Sequence, residues 1–493
     1  MIAAARLALA SGEPERAAAL LRRHWLRLIL ESHTHELEQL CVEFPDAHDP
    51  HLLLIRACCR DLAGDANGAT FLRGQGLRLA PDDFVVCFTT LLLAPDAPSK
   101  TEIADRARRA LAECGPEDDY PSALFLLGWT EIRLRRNLPE AISLLRSASD
   151  EARLQARAAT LRLAQANLAF ALTHAGAFTE AEAILDRLPE SAQPSDWDLF
   201  EGGLPESTRG TIAFWRGDFE AAVVHCDAIV NRASPGTNFE AQARLYLTLS
   251  LIALGRRDRF REAGELVQGV STADKHGIPW GVLRRVTSAW LAYAEGQDEH
   301  ALRLGTPALT RSGAPVAHAL LAELFQRLGA HELAQQALRL VTVATPPRYA
   351  RVSALVTSAG LRSAAGRGEL AHETLASALE AAEPERVLAP FLTPDETIGD
   401  LLSAHAKRGS PHDAFLRTIF AQRDRRFPGT AELLTHRERE ILACLRTTMT
   451  GEEIAAHLGI SYPTVKTHIR SIYRKLGVSS RRAAIHARDA RGR

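Results

Sequence analysis

Lysine is almost absent from this chain, with five residues in 493. Two of the five, Lys466 and Lys475, stand close together in GISYPTVKTHIRSIYRKLGV, residues 459–478, where a positive charge recurs every four residues at Lys466, Arg470 and Arg474. Aromatic residues are also scarce at 6%, whereas 46% of the chain is hydrophobic, with Ala and Leu abundant. That balance disfavours sheets, which draw on Val, Ile and aromatics, and suits packed helices, so the expected class is all-α. No run approaches the about 18 apolar residues of a membrane span, which argues against a membrane partner. The seven cysteines are odd in number and contain no C-x-x-C pair; they read as buried thiols in a reducing cytosol rather than as a disulfide framework. The opening MIAAARLALASG has no basic stretch ahead of it and is broken by Arg6, so it reads as an ordinary helix.

Catalytic signatures are missing too. No Gly-Lys pair occurs anywhere, so the phosphate-binding loop G-x-x-x-x-G-K-[ST] cannot exist and ATP binding by that route is excluded. H-E-x-x-H and G-x-S-x-G are both absent, and HTHE at His33–Glu36 has no third ligand at metal spacing. It reads as the polar start of a helix. The repeats described next leave no room for the alternating strands and helices of a phosphoacceptor receiver. No enzyme, metal or cofactor is expected.

A repeat is present. Gly followed five residues later by Ala occurs at Gly12/Ala17, Gly64/Ala69, Gly176/Ala181, Gly217/Ala222, Gly296/Ala301, Gly329/Ala334 and Gly366/Ala371. The same offset with another first residue occurs at Ser99/Ala104, Arg136/Ala141 and Asp258/Ala263. From residue 64 onward the turns follow one another at 33 to 41 residues; only the first step, 52, is irregular. Each turn joins two apolar helical stretches. The Gly ends the first helix in the left-handed conformation it adopts cheaply, and the Ala opens the inner face of the second, where a small side chain lets the axes approach. This spacing resembles tetratricopeptide repeats and their longer relatives in the sensor segment of MalT-like regulators, over roughly residues 1–383. The resemblance implies a superhelix of helix pairs whose concave wall binds a partner. Six tryptophans, Trp25, Trp129, Trp197, Trp215, Trp280 and Trp290, lie mostly in apolar helical stretches and are expected in the core rather than on an aromatic platform.

Residues 384–430 break the rhythm with Pro384, Pro390, Pro394, Pro411 and Pro428. They read as a connector carrying short helices at ETIGDLLSAHA and DAFLRTIFAQ, with the domain boundary near Pro428.

Charge is distributed unevenly. Residues 431–493 hold twelve Lys and Arg against six Asp and Glu, a net of +6, so the rest of a chain whose total is −1 carries −7. A basic end on an acidic body points to a polyanion bound at one end. This end parses into four short helices. Thr435 with Glu438 and Thr450 with Glu453 form two capping boxes, the first ahead of core residues Ile441, Leu442 and Leu445 and the second ahead of Ile454, Ala455 and Leu458. Gly459 ends the second helix. Ser461 caps the third, with Pro463 in its first turn. In that helix Val465, Ile469, Ile472 and Leu476 share an inward face, and Lys466, Thr467, Arg470, Ser471 and Arg474 stand opposite. Such a helix behind a tight turn fits the major groove.

From Leu434 to about Arg488 the chain resembles the LuxR-type DNA-binding domain: T-x-R-E at Thr435–Glu438, E-I-A at Glu453–Ala455, I-S at Ile460–Ser461, T-V-K-x-H at Thr464–His468 and K-L-G-V-x-S-R at Lys475–Arg481. The resemblance implies a four-helix helix-turn-helix domain at 431–493, with base contacts from Lys466, Thr467 and Arg470 and phosphate contacts from Thr464, Arg474 and Lys475. It implies double-stranded DNA with an inverted-repeat operator, a homodimer on DNA through a fourth helix from about Ser480 to Asp489, and RNA polymerase as a further partner. Glu452 and Pro463 depart from residues that are often basic or polar in the family. MalT-like regulators also carry an ATP-binding module, which this chain does not resemble.

The reading is a cytoplasmic, bacterial transcription regulator whose repeat body receives a small-molecule or protein effector. The alternative is a repeat scaffold whose helix-turn-helix is not used for specific DNA binding.

Overall fold

The computed structural model describes the chain apart from residues 47, 77–82, 94–96, 114–118, 135–136, 189–203, 232–237, 273–277, 344, 428–435, 446, 448, 459, 477–479, 482–483 and 485–493. Among the described residues it is built of helices, without a β-strand, and no helix there is long and apolar enough to cross a membrane. The opening stretch is the helix Ile2–Ala10.

The glycine turns govern the architecture. Gly12, Gly64, Gly176, Gly217, Gly296, Gly329 and Gly366 all have φ between +71° and +85°. At most of them a Cβ would meet nothing within 4 Å, so the left-handed backbone rather than lack of space calls for glycine. After each of them the next residue donates its N–H to a carbonyl five positions back. Examples are Ala177 to Leu172 at 2.9 Å and Ala330 to Phe325 at 2.8 Å. This closure satisfies carbonyls that the helix end would otherwise leave bare. The alanines five residues on are all inside: Ala17, Ala69, Ala104, Ala141, Ala181, Ala222, Ala263, Ala301, Ala334 and Ala371 are at most 3% exposed. Helix pairs such as Tyr120–Leu134 with Leu138–Leu154 and Arg348–Ala364 with Gly368–Ala382 follow from one another along the chain.

Three turns differ from the sequence reading. The irregular first step of 52 residues holds an additional helix, Thr34–Val42, which HTHE opens, with His33 Nδ1 3.0 Å from Glu36. At the turn assigned to Asp258, the left-handed residue is Gly255 (φ +66°). A 3-10 turn, Arg257–Arg259, then fills the gap before the helix Phe260–Gln268, because Arg259 bridges Asp227 and Glu262 and holds that turn. Ser32 (φ +65°) and Ala156 (φ +54°) make the same closure without glycine, through His33 N–H to Leu28 and Arg157 N–H to Ala152.

The chain divides into two compact units, Met1–Phe214 with Asp218–Ala317, and Trp215–Gly217 with His318–Arg493. The first is packed through its alanine seams and through Trp25, Trp129, Trp280 and Trp290, none more than 6% exposed. Trp197 lies outside the described residues. A partly buried group of three charges joins three helices of this unit: Arg108 Nη2 is 2.7 Å from Glu131, whose side chain is fully enclosed, and 2.8 Å from Glu140. Cys41, Cys58, Cys59, Cys87 and Cys226 are buried thiols outside any disulfide there, and burial pushes Cys41 and Cys226 up to about 12. Cys114 falls outside the described residues.

In the second unit the connector is packed structure rather than loose chain. Both expected helices form, Glu396–Lys407 and Asp413–Arg426, the first capped by Asp395, which accepts from the Thr397 N–H at 2.8 Å. Buried Arg423 donates from Nη1 to the carbonyls of Phe391 at 2.6 Å and Thr393 at 2.7 Å. Trp215–Gly217 fold with this unit: the Trp215 ring lies 4.7 Å from that of Tyr349, the Trp215 carbonyl accepts from Leu388 N–H at 3.0 Å, and Gly217 is pressed against Leu392. His372 and His405 stack at 5.6 Å, beside Arg408, which is paired with Glu369, and His412, 2.6 Å from Glu383.

Candidate nucleic-acid interface

The basic end has a core of its own. Ile441, Leu442, Cys444, Leu445, Ile454, Ala455, Val465, Ile472 and Ala484 form one buried cluster, with Leu458, Ile460, Ile469 and Tyr473 packed around it. Every member lies between residues 441 and 484, so the short helices His436–Leu445, Gly451–Leu458 and Tyr462–Leu476 enclose a small hydrophobic centre. The core residues expected on the first two helices are there.

Local signals set where the helices start. Thr450 and Glu453 form the reciprocal capping box: Thr450 N–H donates to the Glu453 carboxylate at 2.7 Å, and Glu453 N–H to the Thr450 hydroxyl at 3.3 Å. Thr435 and Gly459 lie outside the described residues. Ser461 caps the third helix, accepting from the Thr464 N–H at 3.4 Å and sharing a hydroxyl contact with Thr464 at 2.7 Å. Tyr462 opens that helix, and its ring lies over Gly451 so closely that a Cβ on Gly451 would stand 2.6 Å from Tyr462 Cε2.

The third helix divides as its pattern implies. Val465 and Ile472 are fully buried and Ile469 is partly so, while Thr464, Lys466, Thr467 and Arg470 are exposed. Three side chains expected to contact bases therefore share one open face with one expected to contact phosphate. Thr467 donates its hydroxyl to the Pro463 carbonyl at 3.0 Å, leaving its methyl as the outward group. Arg474 and Lys475 lie on the helix's last turn, and their side chains fall outside the described residues. Of the fourth helix, Ser480, Arg481 and Ala484 are described and Ala484 is buried.

Arg481 has a role that the motif alone did not disclose. Its Nε donates to the Leu445 carbonyl at 2.9 Å and its Nη2 to that of Thr447 at 2.7 Å. A guanidinium there satisfies bare carbonyls at the end of the first helix and complements its negative pole. The available signal was the arginine that closes the motif K-L-G-V-x-S-R, outside the outward stripe of the third helix. Tyr462 was likewise not singled out by its sequence position. Among the described residues no group of three or more His, Cys, Asp or Glu side chains could hold a metal ion.

Comparison with known proteins agrees with this geometry. Residues 432–487 match the family model described as bacterial regulatory proteins, luxR family; that segment is a LuxR-type helix-turn-helix domain. Over 54 residues the chain is 54% identical to the protein named "Probable transcriptional regulatory protein SgaR" from Hyphomicrobium methylovorum, which is 11% of this chain and 26% of that protein. The chain thus matches about a quarter of that relative's length. Among solved structures, the crystal structure of the APC/C hetero-tetramer Cut9-Hcn1 aligns over 94% of this chain and 95% of that one, with 12% identity and a TM-score of 0.41.

Proposed function

We propose that this protein is a sequence-specific DNA-binding transcription regulator. The observation that carries the reading is the third helix of the C-terminal domain, which sets Lys466, Thr467 and Arg470 on an open face directly behind a closed core. Lys466 and Arg470 reach guanine O6 and N7 in the major groove, and the Thr467 methyl meets a thymine methyl. Thr464, Arg474 and Lys475 hold phosphates and fix the register.

The reading extends to the rest of the chain as follows. Residues 1–383 form a helical-repeat body that receives a small-molecule or protein effector, 384–430 a connector, and 431–493 the DNA-binding domain. Two copies pair through the fourth helix on an inverted repeat, and RNA polymerase is the partner that reads the outcome. The effector acts by changing how freely the recognition helix engages DNA. The protein works in a bacterial cytoplasm and has no catalytic role.

The test is fluorescence anisotropy of the full-length protein on duplexes selected from a random pool and on unselected duplex, across a salt series. Enrichment of an inverted-repeat sequence and a steep fall of affinity with salt are expected. Equal affinity for all duplexes, with no enrichment, would sink the reading.

A further inference from the structure

We infer that Tyr462 is an additional DNA-contacting residue, whose phenolic hydroxyl donates a hydrogen bond to a backbone phosphate at the edge of the site. The inference rests on the DNA-binding reading of the same domain and adds to it a residue that neither the motif nor the family match assigns.

Three observations carry it. First, Tyr462, Lys466 and Arg470 stand at i, i+4 and i+8 of the helix Tyr462–Leu476 and are all exposed, so the tyrosine heads the stripe that carries the two cations. Second, 45% of Tyr462 remains exposed, and its hydroxyl has no hydrogen-bond partner among the described residues. An aromatic ring so open at a helix start adds little to a core that is already closed by Val465 and Ile472. Third, the ring is held in place. One edge lies over Gly451, with Cε2, Cδ2 and Cζ at 2.6, 3.3 and 3.6 Å from where a Cβ of residue 451 would be. One edge of the ring, next to the carbon that bears the hydroxyl, is thereby packed on the start of the preceding helix.

That seam has a defined place in a helix-turn-helix. The second of the two motif helices presents its N-terminal residues to base edges, while the first crosses the sugar-phosphate backbone. A tyrosine pinned between the starts of both has its polar tip where base contacts give way to phosphate contacts, and a phenol is a suitable neutral donor to phosphate oxygen. Glycine at 451 then has a functional reason: any side chain there would displace the ring.

The chemistry separates this contact from those of the cations. A neutral donor releases no counterion, so its loss lowers affinity without changing the salt slope, whereas loss of a cation on phosphate lowers the slope by about one. A phosphate contact also carries no sequence information, so the loss is the same on every duplex.

The experiment is anisotropy with the full chain and its Tyr462→Phe, Gly451→Ala and doubly substituted variants, on selected and random duplex, with thermal melts as the folding control. Tyr462→Phe removes one oxygen and should raise Kd about three- to tenfold on both duplexes with an unchanged salt slope. Gly451→Ala should reproduce that loss by pushing the ring aside, and should add nothing once the hydroxyl is gone. Unchanged affinity in Tyr462→Phe overturns the inference, as does a loss confined to the selected duplex, which would mean that the hydroxyl reads a base rather than a phosphate. Failure of the parent protein to bind either duplex would instead remove the DNA-binding reading beneath it.

Discussion

The repeat pairs and the basic end are both made of short helices, yet they are specified by opposite means. In the pairs the same two residues recur: a glycine with φ near +80° and an enclosed alanine five positions later. What distinguishes one pair from the next is left to the surface. In the C-terminal domain, among the described residues, the glycine–alanine turn does not recur, and successive helix starts use different devices, the Thr450–Glu453 box for one and the Ser461 cap for the next. Repetition makes a fold readable because many weak signals add, but it hides function, since a binding residue on a repeat looks like any other exposed position. The singular domain is readable in function because its exposed cations interrupt a chain that otherwise has few lysines.

Substitutions separate the two regions. Arg108→Ala removes the cation paired with the fully enclosed Glu131 carboxylate and should destabilise the first unit by about 3 kcal/mol, the upper end for a hydrogen bond to a charged group. Chemical denaturation followed by tryptophan fluorescence reads it. DNA affinity below the transition should not change if the C-terminal domain stands on its own core.

Lys466→Ala and Arg470→Ala should do the reverse. Each should cost about 1–3 kcal/mol of discrimination between selected and random duplex while leaving the denaturation midpoint in place. Loss of stability without loss of discrimination would place these side chains in the fold and not at an interface.

Gly176→Ala tests the repeat rule at one turn. The backbone there is left-handed, at φ +82°, so a cost of about 1 kcal/mol is expected from conformation alone. A neutral result would mean that the turn relaxes and that alanine packing alone sets the pair.

The smallest effect is a pH dependence in the second unit. Burial, then His372, Arg408 and His412, hold His405 below its ordinary value, with Asp413 opposing; His372 is lowered as well, by burial and then Arg408. A histidine with a depressed folded-state value takes up its proton more readily when unfolded. Stability is therefore intact at neutral pH and declines as pH falls below about 6.5 toward the folded-state values. Melting curves between pH 7.5 and 5.5 should show this decline, and His405→Gln should flatten it. A melting temperature that rises on acidification would refute the assignment.

Most of the fold was legible in the sequence because its rule is local: left-handed glycine and enclosed alanine lie within six residues of each other. The rule failed where another residue took over the same backbone job. Gly255 was passed over because a 3-10 turn held by Arg259 displaces its alanine partner to Ala263, three residues later than the pattern allows. Ser32 and Ala156 adopt positive φ with no compositional mark at all. In the C-terminal domain the outward stripe and the caps were legible for the same local reason. Arg481 and Tyr462 were not, since each acts across the fold, on the carbonyls of Leu445 and Thr447 and on the face of Gly451, and contacts of that kind leave no spacing to read.

The recurrent closure at the glycine turns also bears on how such a chain changes length over generations. A segment such as residues 330–366 begins and ends at the same left-handed glycine closure. Its removal, or its duplication, brings together two edges that already fit. Gene rearrangements that add or drop whole pairs would therefore be far better tolerated than ones that cut inside a helix, and the body could be lengthened for a new signal while the domain at its end stays the same.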